Sequence, residues 1–189
     1  MKKKLVVIIC AGLLLTGCSW FKKDNTDIKK IYLNVLSNEI TYIDEQKNAK
    51  FISEYTNDDY GIDSYAIIDI NEDDVIDMAV KLIKTDSDDI YLLLHYYKNK
   101  VYSKVFDNVR SISISDKGYI STIDIDTLTY TWNKYTFEDG KFKSTEVYSY
   151  NADNTKCRVD GKDFKCEDFT EKYNNWLNET IVNPEWKPY

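Results

Sequence analysis

The chain has 189 residues, 43% of them hydrophobic, with 32 acidic against 25 basic side chains and a formal net charge of −7. That length supplies one domain with one real core, and that apolar content is too high for a disordered chain. The negative sign argues against nucleic acid as a partner and against an electrostatic hold on anionic polymers, because like charges repel.

Met1 is followed by Lys2, Lys3 and Lys4 and then by an apolar run over residues 5–15, a charged n-region and an h-region of signal-peptide length. Spanning a bilayer takes about 20 apolar residues, so this run is too short. It closes on Leu15-Thr16-Gly17-Cys18. Small Thr16 and Gly17 admit an extended backbone to a peptidase cleft, and the Cys18 thiol is a nucleophile that can accept a diacylglyceryl group. The segment resembles the lipobox of bacterial lipoproteins. The resemblance implies cleavage before Cys18, lipidation of that thiol, and residence on the extracytoplasmic face of the cell membrane. An ordinary secretory signal is the alternative, and Cys10 leaves with the segment either way. Residues 1–17 are then a lipoprotein signal peptide, 18–26 a lipid-anchored tether, and 27–189 a single domain. Without Lys2, Lys3 and Lys4 the acidic residues exceed the basic ones by about ten. In the tether, Trp20, Phe21, Lys22 and Lys23 suit the headgroup region.

Ile28, Ile31, Tyr32, Val35, Leu36, Ile40 and Ile43 recur at helical spacing, which predicts an amphipathic helix over residues 27–45, capped by Thr26 or Asn25. β-Branched and aromatic runs at 65–70, 76–83, 90–97, 101–106, 111–115, 119–125, 128–137 and 142–150 predict strands. Lys98-Asn99-Lys100, Asp116-Lys117-Gly118 and Glu138-Asp139-Gly140 are hairpin-sized links, so the strands form a meander. Helical spacing returns over 167–178 through Phe169, Tyr173, Trp176 and Leu177. The expected fold is α+β, a single antiparallel β-meander sheet flanked by an N-terminal and a C-terminal helix.

Between two of the strands runs Asp69-Ile70-Asn71-Glu72-Asp73-Asp74-Val75-Ile76-Asp77, with oxygen side chains at loop positions 1, 3, 5 and 9. That alternation aims oxygens at a common point where Ca²⁺ collects six or more ligands. The stretch resembles the strand-loop-strand segment of bacterial surface lipoproteins, where a strand rich in tyrosine and isoleucine runs into Asp-x-Asp-Gly-Asp-Gly-x-Pro-Glu. The resemblance implies Asp69, Asn71 and Asp73 as the first, third and fifth ligands and Asp77 as the closing carboxylate. Glu72 and Asp74 stand where the pattern has glycine, so Asp74 must take the left-handed conformation, and Val80 stands where a full EF-hand loop has its acidic residue. A weak site is expected, with a dissociation constant of about 10⁻⁴ to 10⁻³ M. A solvated acidic turn is the alternative.

Cys157 and Cys166 are the thiols left after the lipobox, and the outer face of a membrane permits oxidation. A two-residue turn on Gly161-Lys162 would pair Cys157 with Cys166 across a hairpin at disulfide distance. Alternatively Cys166 starts the last helix, which still leaves it near Cys157.

Catalytic signatures are sparse. The single histidine, His95, sits in Leu92-Leu93-Leu94-His95-Tyr96-Tyr97 and reads as a sheet residue. The sixteen tyrosines and Trp132 read as core or cross-strand pairs rather than as a sugar- or peptide-binding face. The expected function is a non-enzymatic interaction module on the cell surface, binding an envelope polymer or protein. A cell-envelope hydrolase working through paired carboxylates is the alternative.

Overall fold

The structure is a computed structural model, and it describes residues 24–56, 60–83, 89–107, 112–124 and 126–189. Residues 1–23, with the expected signal peptide, Cys18 and most of the expected tether, lie outside the described residues, as do Ser111 and Ile125 at the ends of two expected strands.

The elements in chain order are α1 (Asn25–Leu36), β1 (Tyr42–Ile43), β2 (Ala49–Lys50), β3 (Gly61–Ile68), β4 (Asp77–Ile83), β5 (Ile90–Tyr97), β6 (Lys100–Phe106), β7 (Ile112–Ile114), β8 (Tyr119–Asp124), β9 (Thr129–Glu138), β10 (Lys141–Asn151), β11 (Cys157–Val159), β12 (Lys162–Phe164), α2 (Cys166–Thr180) and β13 (Trp186–Pro188). The α+β class holds. The single sheet does not: among the described residues the strands divide into a seven-stranded sheet, β13-β3-β4-β5-β6-β1-β2, and a six-stranded sheet, β12-β11-β10-β9-β8-β7. Each is a meander through most of its width, and the chain passes from one to the other between β6 and β7.

The division follows from strands that are apolar on both faces. Met78, Val80, Leu82, Leu92 and Leu94 point one way, onto Ile28, Tyr32, Val35 and Leu36 of α1. Ala79 and Leu93, one residue out of phase, point the other way with Ile68 and Phe106, onto Ile114, Ile120 and Tyr135 of the second sheet. On that sheet's outer face Trp132, Tyr148 and Val159 pack under Phe169 of α2. The order of layers is thus α1, first sheet, second sheet, α2. A strand buried on both faces reads as a continuous apolar run, as Leu92-Leu93-Leu94 does.

The first helix is shorter than its periodicity suggests. Asp24 caps it, its carboxylate accepting the Thr26 N–H at 2.9 Å. It ends at Leu36, and Asn38 takes a positive φ of 62°, after which Ile40 packs on the same core from a turn and Tyr42 from β1, while Ile43 lines an open groove. Among the described residues no helix is long and apolar enough to cross a membrane.

Candidate functional site

β3 and β4 pair from Gly61–Ile83 down to Ile68–Asp77, and the acidic segment forms the loop between them. Its shape is set by its own carboxylates. Asp69 accepts the N–H groups of Asp73 at 3.2 Å and Asp74 at 3.1 Å, and Asp73 accepts that of Val75 at 2.8 Å. Glu72 and Asp74 take φ values of 55° and 64°, the left-handed region that glycine enters without strain. Asn71 donates to Asp73 Oδ2 at 3.2 Å, while its own Oδ1 is shielded from solvent and has no hydrogen-bond partner.

Three neighbours hold the loop. Asn25, the first residue of α1, donates to Asp74 O at 3.1 Å and accepts from Ile76 N–H at 3.2 Å. Lys134 of β9 reaches Glu72 at 2.9 Å and also donates to Lys117 O, so its ammonium holds the Glu72 carboxyl below its ordinary value. Asp69 N–H donates to Asp116 O at 2.8 Å, and Gly118 lies directly against the Ile70 backbone.

Of the four side chains expected to ligate calcium, Asp69, Asn71 and Asp73 gather in the loop. Asp77 is the first residue of β4 and faces the space between the sheets. It is fully buried, accepts Ile70 N–H at 2.7 Å through Oδ2, and its Oδ1 is hydrogen-bonded at 2.6 Å to Nδ1 of His95, which is 4% exposed. The His95 ring stacks on Phe137 of the opposite sheet at 4.0 Å and meets the face of Phe142 edge-on. Burial raises the Asp77 carboxyl above its ordinary value, against the pull of His95 and the Ile70 N–H. The sole histidine is therefore a polar pin between the sheets. Sequence alternation left its face open; what decides it is the register that sets Met78 beside Leu94.

Among the described residues no three His, Cys, Asp or Glu side chains converge closely enough to hold a metal ion by themselves. A cation in the loop would draw on Asp69, Asp73 and the free Oδ1 of Asn71, with backbone carbonyls completing the set, since calcium accepts neutral oxygens readily.

Cys157 and Cys166 are bonded, with Cα atoms 5.3 Å apart. The turn beneath them differs from expectation. Asp160 and Gly161 occupy it with φ of 51° and 71°, so Cys157 pairs with Phe164 and Cys166 opens α2. A turn with two positive φ values matches the twist of its strands and favours Asp-Gly, which outweighs glycine in the first position. The aromatics of β9 and β10 fill the layer under α2: Trp132 Nε1 donates to Tyr173 OH at 3.0 Å, and Tyr130 stacks on Tyr150 at 5.0 Å. Open to solvent between α1 and the β5–β6 hairpin is a groove of about 580 Å³ lined by Ile31, Ile40, Ile43, Tyr96, Lys100 and Val101.

No protein-family model, no curated protein and no solved structure matches the chain.

Proposed function

We propose that the protein is a lipid-anchored extracytoplasmic interaction module, held to the cell membrane through Cys18, with a weak Ca²⁺ site in the loop at residues 69–77. The observation that supports it is the closeness of the lipobox to the folded body. Asn25, a few residues beyond Cys18, is already helical and already bonded to the acidic loop. A chain that folds at once after its anchor is built to be presented at a membrane surface. Two acyl chains make that attachment durable, because each buried methylene contributes about 0.8 kcal/mol and a single chain holds only marginally.

Replacing Cys18 with Ala tests the anchor. The expected result is a protein that moves from the detergent phase to the aqueous phase or keeps its signal peptide; unchanged size with unchanged partition overturns the reading. The metal has its own test. Two carboxylates, those of Asp69 and Asp73, and the unpartnered amide oxygen of Asn71 repel one another when empty, so calcium relieves that repulsion. At millimolar calcium and a dissociation constant near 10⁻⁴ M the gain is about 1.4 kcal/mol by mass action. Thermal unfolding in Ca²⁺, Mg²⁺ and chelator is expected to show a calcium-specific rise that Asp69→Ala abolishes. An equal rise in the variant leaves the loop as a solvated turn.

A further inference from the structure

Resting on the lipid-anchor reading, we infer that the acidic-loop end of the domain faces the bilayer, its partner being the anionic lipid headgroup surface, and that its carboxylates keep the domain a short distance above it. The argument starts from chain length. Residues 19–24 separate the anchored Cys18 from Asn25, and seven Cα steps span at most about 25 Å when fully extended. Asn25 touches Asp74 and Ile76 directly, at 3.1 and 3.2 Å, so the loop sits within that reach of the membrane.

The opposite end does not. The 12 residues of α1 rise about 18 Å away from Asn25. β3, with 8 residues, runs about 23 Å from the loop back to Gly61. The two elements finish near each other, since Ser37 Oγ lies 3.4 Å from Tyr189 OH and the Tyr189 N–H donates to Asp63 O. Turning that end toward the lipid would stretch the tether to its limit along the flank of the domain, at an entropic cost that the loop-down arrangement avoids.

Charge sets the separation. Asp73 and Asp74 are exposed at the loop, and Asp24 and Asp27 are exposed beside it at the start of α1, while Glu72 is already paired with Lys134. Opposed to anionic headgroups they repel over about one Debye length, about 8 Å at physiological salt. The loop therefore stands off the surface, and the distal end, with Glu39, Asp63 and Tyr189, is the part offered to the envelope.

The test uses the lipidated full chain in vesicles carrying a fluorescent headgroup acceptor, with a donor at Lys117→Cys, beside the loop, or at Glu39→Cys, at the distal end. Energy transfer at position 117 is expected to exceed that at 39 several-fold, and to rise further when phosphatidylglycerol in the vesicles is replaced by phosphatidylcholine. Equal transfer at the two positions, or more at 39, overturns the orientation. Transfer at 117 that ignores lipid charge overturns the electrostatic stand-off. Flotation of the same samples separates these outcomes from failure of the anchor: protein that does not float with the vesicles removes the lipid-anchor reading and the orientation with it.

Discussion

At the scale of single residues the Asp77–His95 pair governs the centre of the molecule. A carboxyl whose folded value lies above its unfolded value favours folding while protonated, and that contribution is lost as pH rises through the folded value. The His95 ring and the Ile70 N–H hold this loss down. Removing the ring leaves the carboxylate buried with only the Ile70 N–H as partner. His95→Leu is expected to lose about 3–5 kcal/mol at pH 7.5, where the charge is uncompensated, and markedly less at pH 4. Urea unfolding at the two pH values measures it; an equal loss at both would reduce the histidine to a stacking partner. Gly118 is the second decisive residue. Its φ is +72°, and an added Cβ would stand 2.8 Å from Ile70 O and 2.9 Å from Ile70 Cα, both backbone atoms. Gly118→Ala is expected to cost about 2 kcal/mol or more. Gly61→Ala has open space around it and serves as the control, with a change below about 1 kcal/mol.

At the scale of elements, α2 is a helix fastened at its start. The bridge from Cys157 to Cys166 joins its first residue to β11, and Phe169, Tyr173 and Trp176 then lie along Tyr148 and Tyr150. The Cys157→Ser/Cys166→Ser pair is expected to lose about 2–3 kcal/mol, the chain-entropy value for a loop of about ten residues, read from denaturant midpoints without reductant. What was legible here was chemistry carried by neighbours in sequence. The closeness of Cys157 and Cys166 about a glycine turn was readable, although the turn falls on Asp160-Gly161 and not on the expected Gly161-Lys162, and most strands from β3 to β10 follow from alternation. The illegible parts depend on distant partners. β1 and β2 have two residues each, too short for any period, and exist because β6 offers Ile43 a place beside Tyr102. The helical spacing runs past Leu36 to Ile40 because the turn also delivers an apolar side chain to the same core, whereas from β1 it is Tyr42, and not Ile43, that enters it. In the acidic loop the alternation of oxygens was readable, but the inward rotation of Asp77 was not, since only the second sheet, with Phe137 against His95, closes its surroundings.

At the scale of the whole molecule, two sheets sharing Ile68, Leu93, Ile120 and Tyr135 as one interior are expected to unfold together. A single calorimetric transition, with equal calorimetric and van't Hoff enthalpies, is the measurement. Independent melting of the sheets would contradict the shared interior. The last strand adds a constraint in time. β13 belongs to the first sheet, where Trp186, Lys187 and Pro188 pair with Ala66, Tyr65 and Ser64, yet it follows every strand of the second sheet in the chain. Its loop closure spans most of the sequence, so its pairing is slow and comes late. A chain delivered N-terminus first completes β3 with one side open and keeps that side open until Trp186–Pro188 emerge. During that interval the exposed N–H and C=O groups of β3 are a template for another copy, and Pro188, which has no N–H to offer, ends the vulnerability by capping the edge. Truncation after Asn183 should therefore make permanent what is normally a passing stage of folding: concentration-dependent association, followed by light scattering, with amide protection lost first along β3.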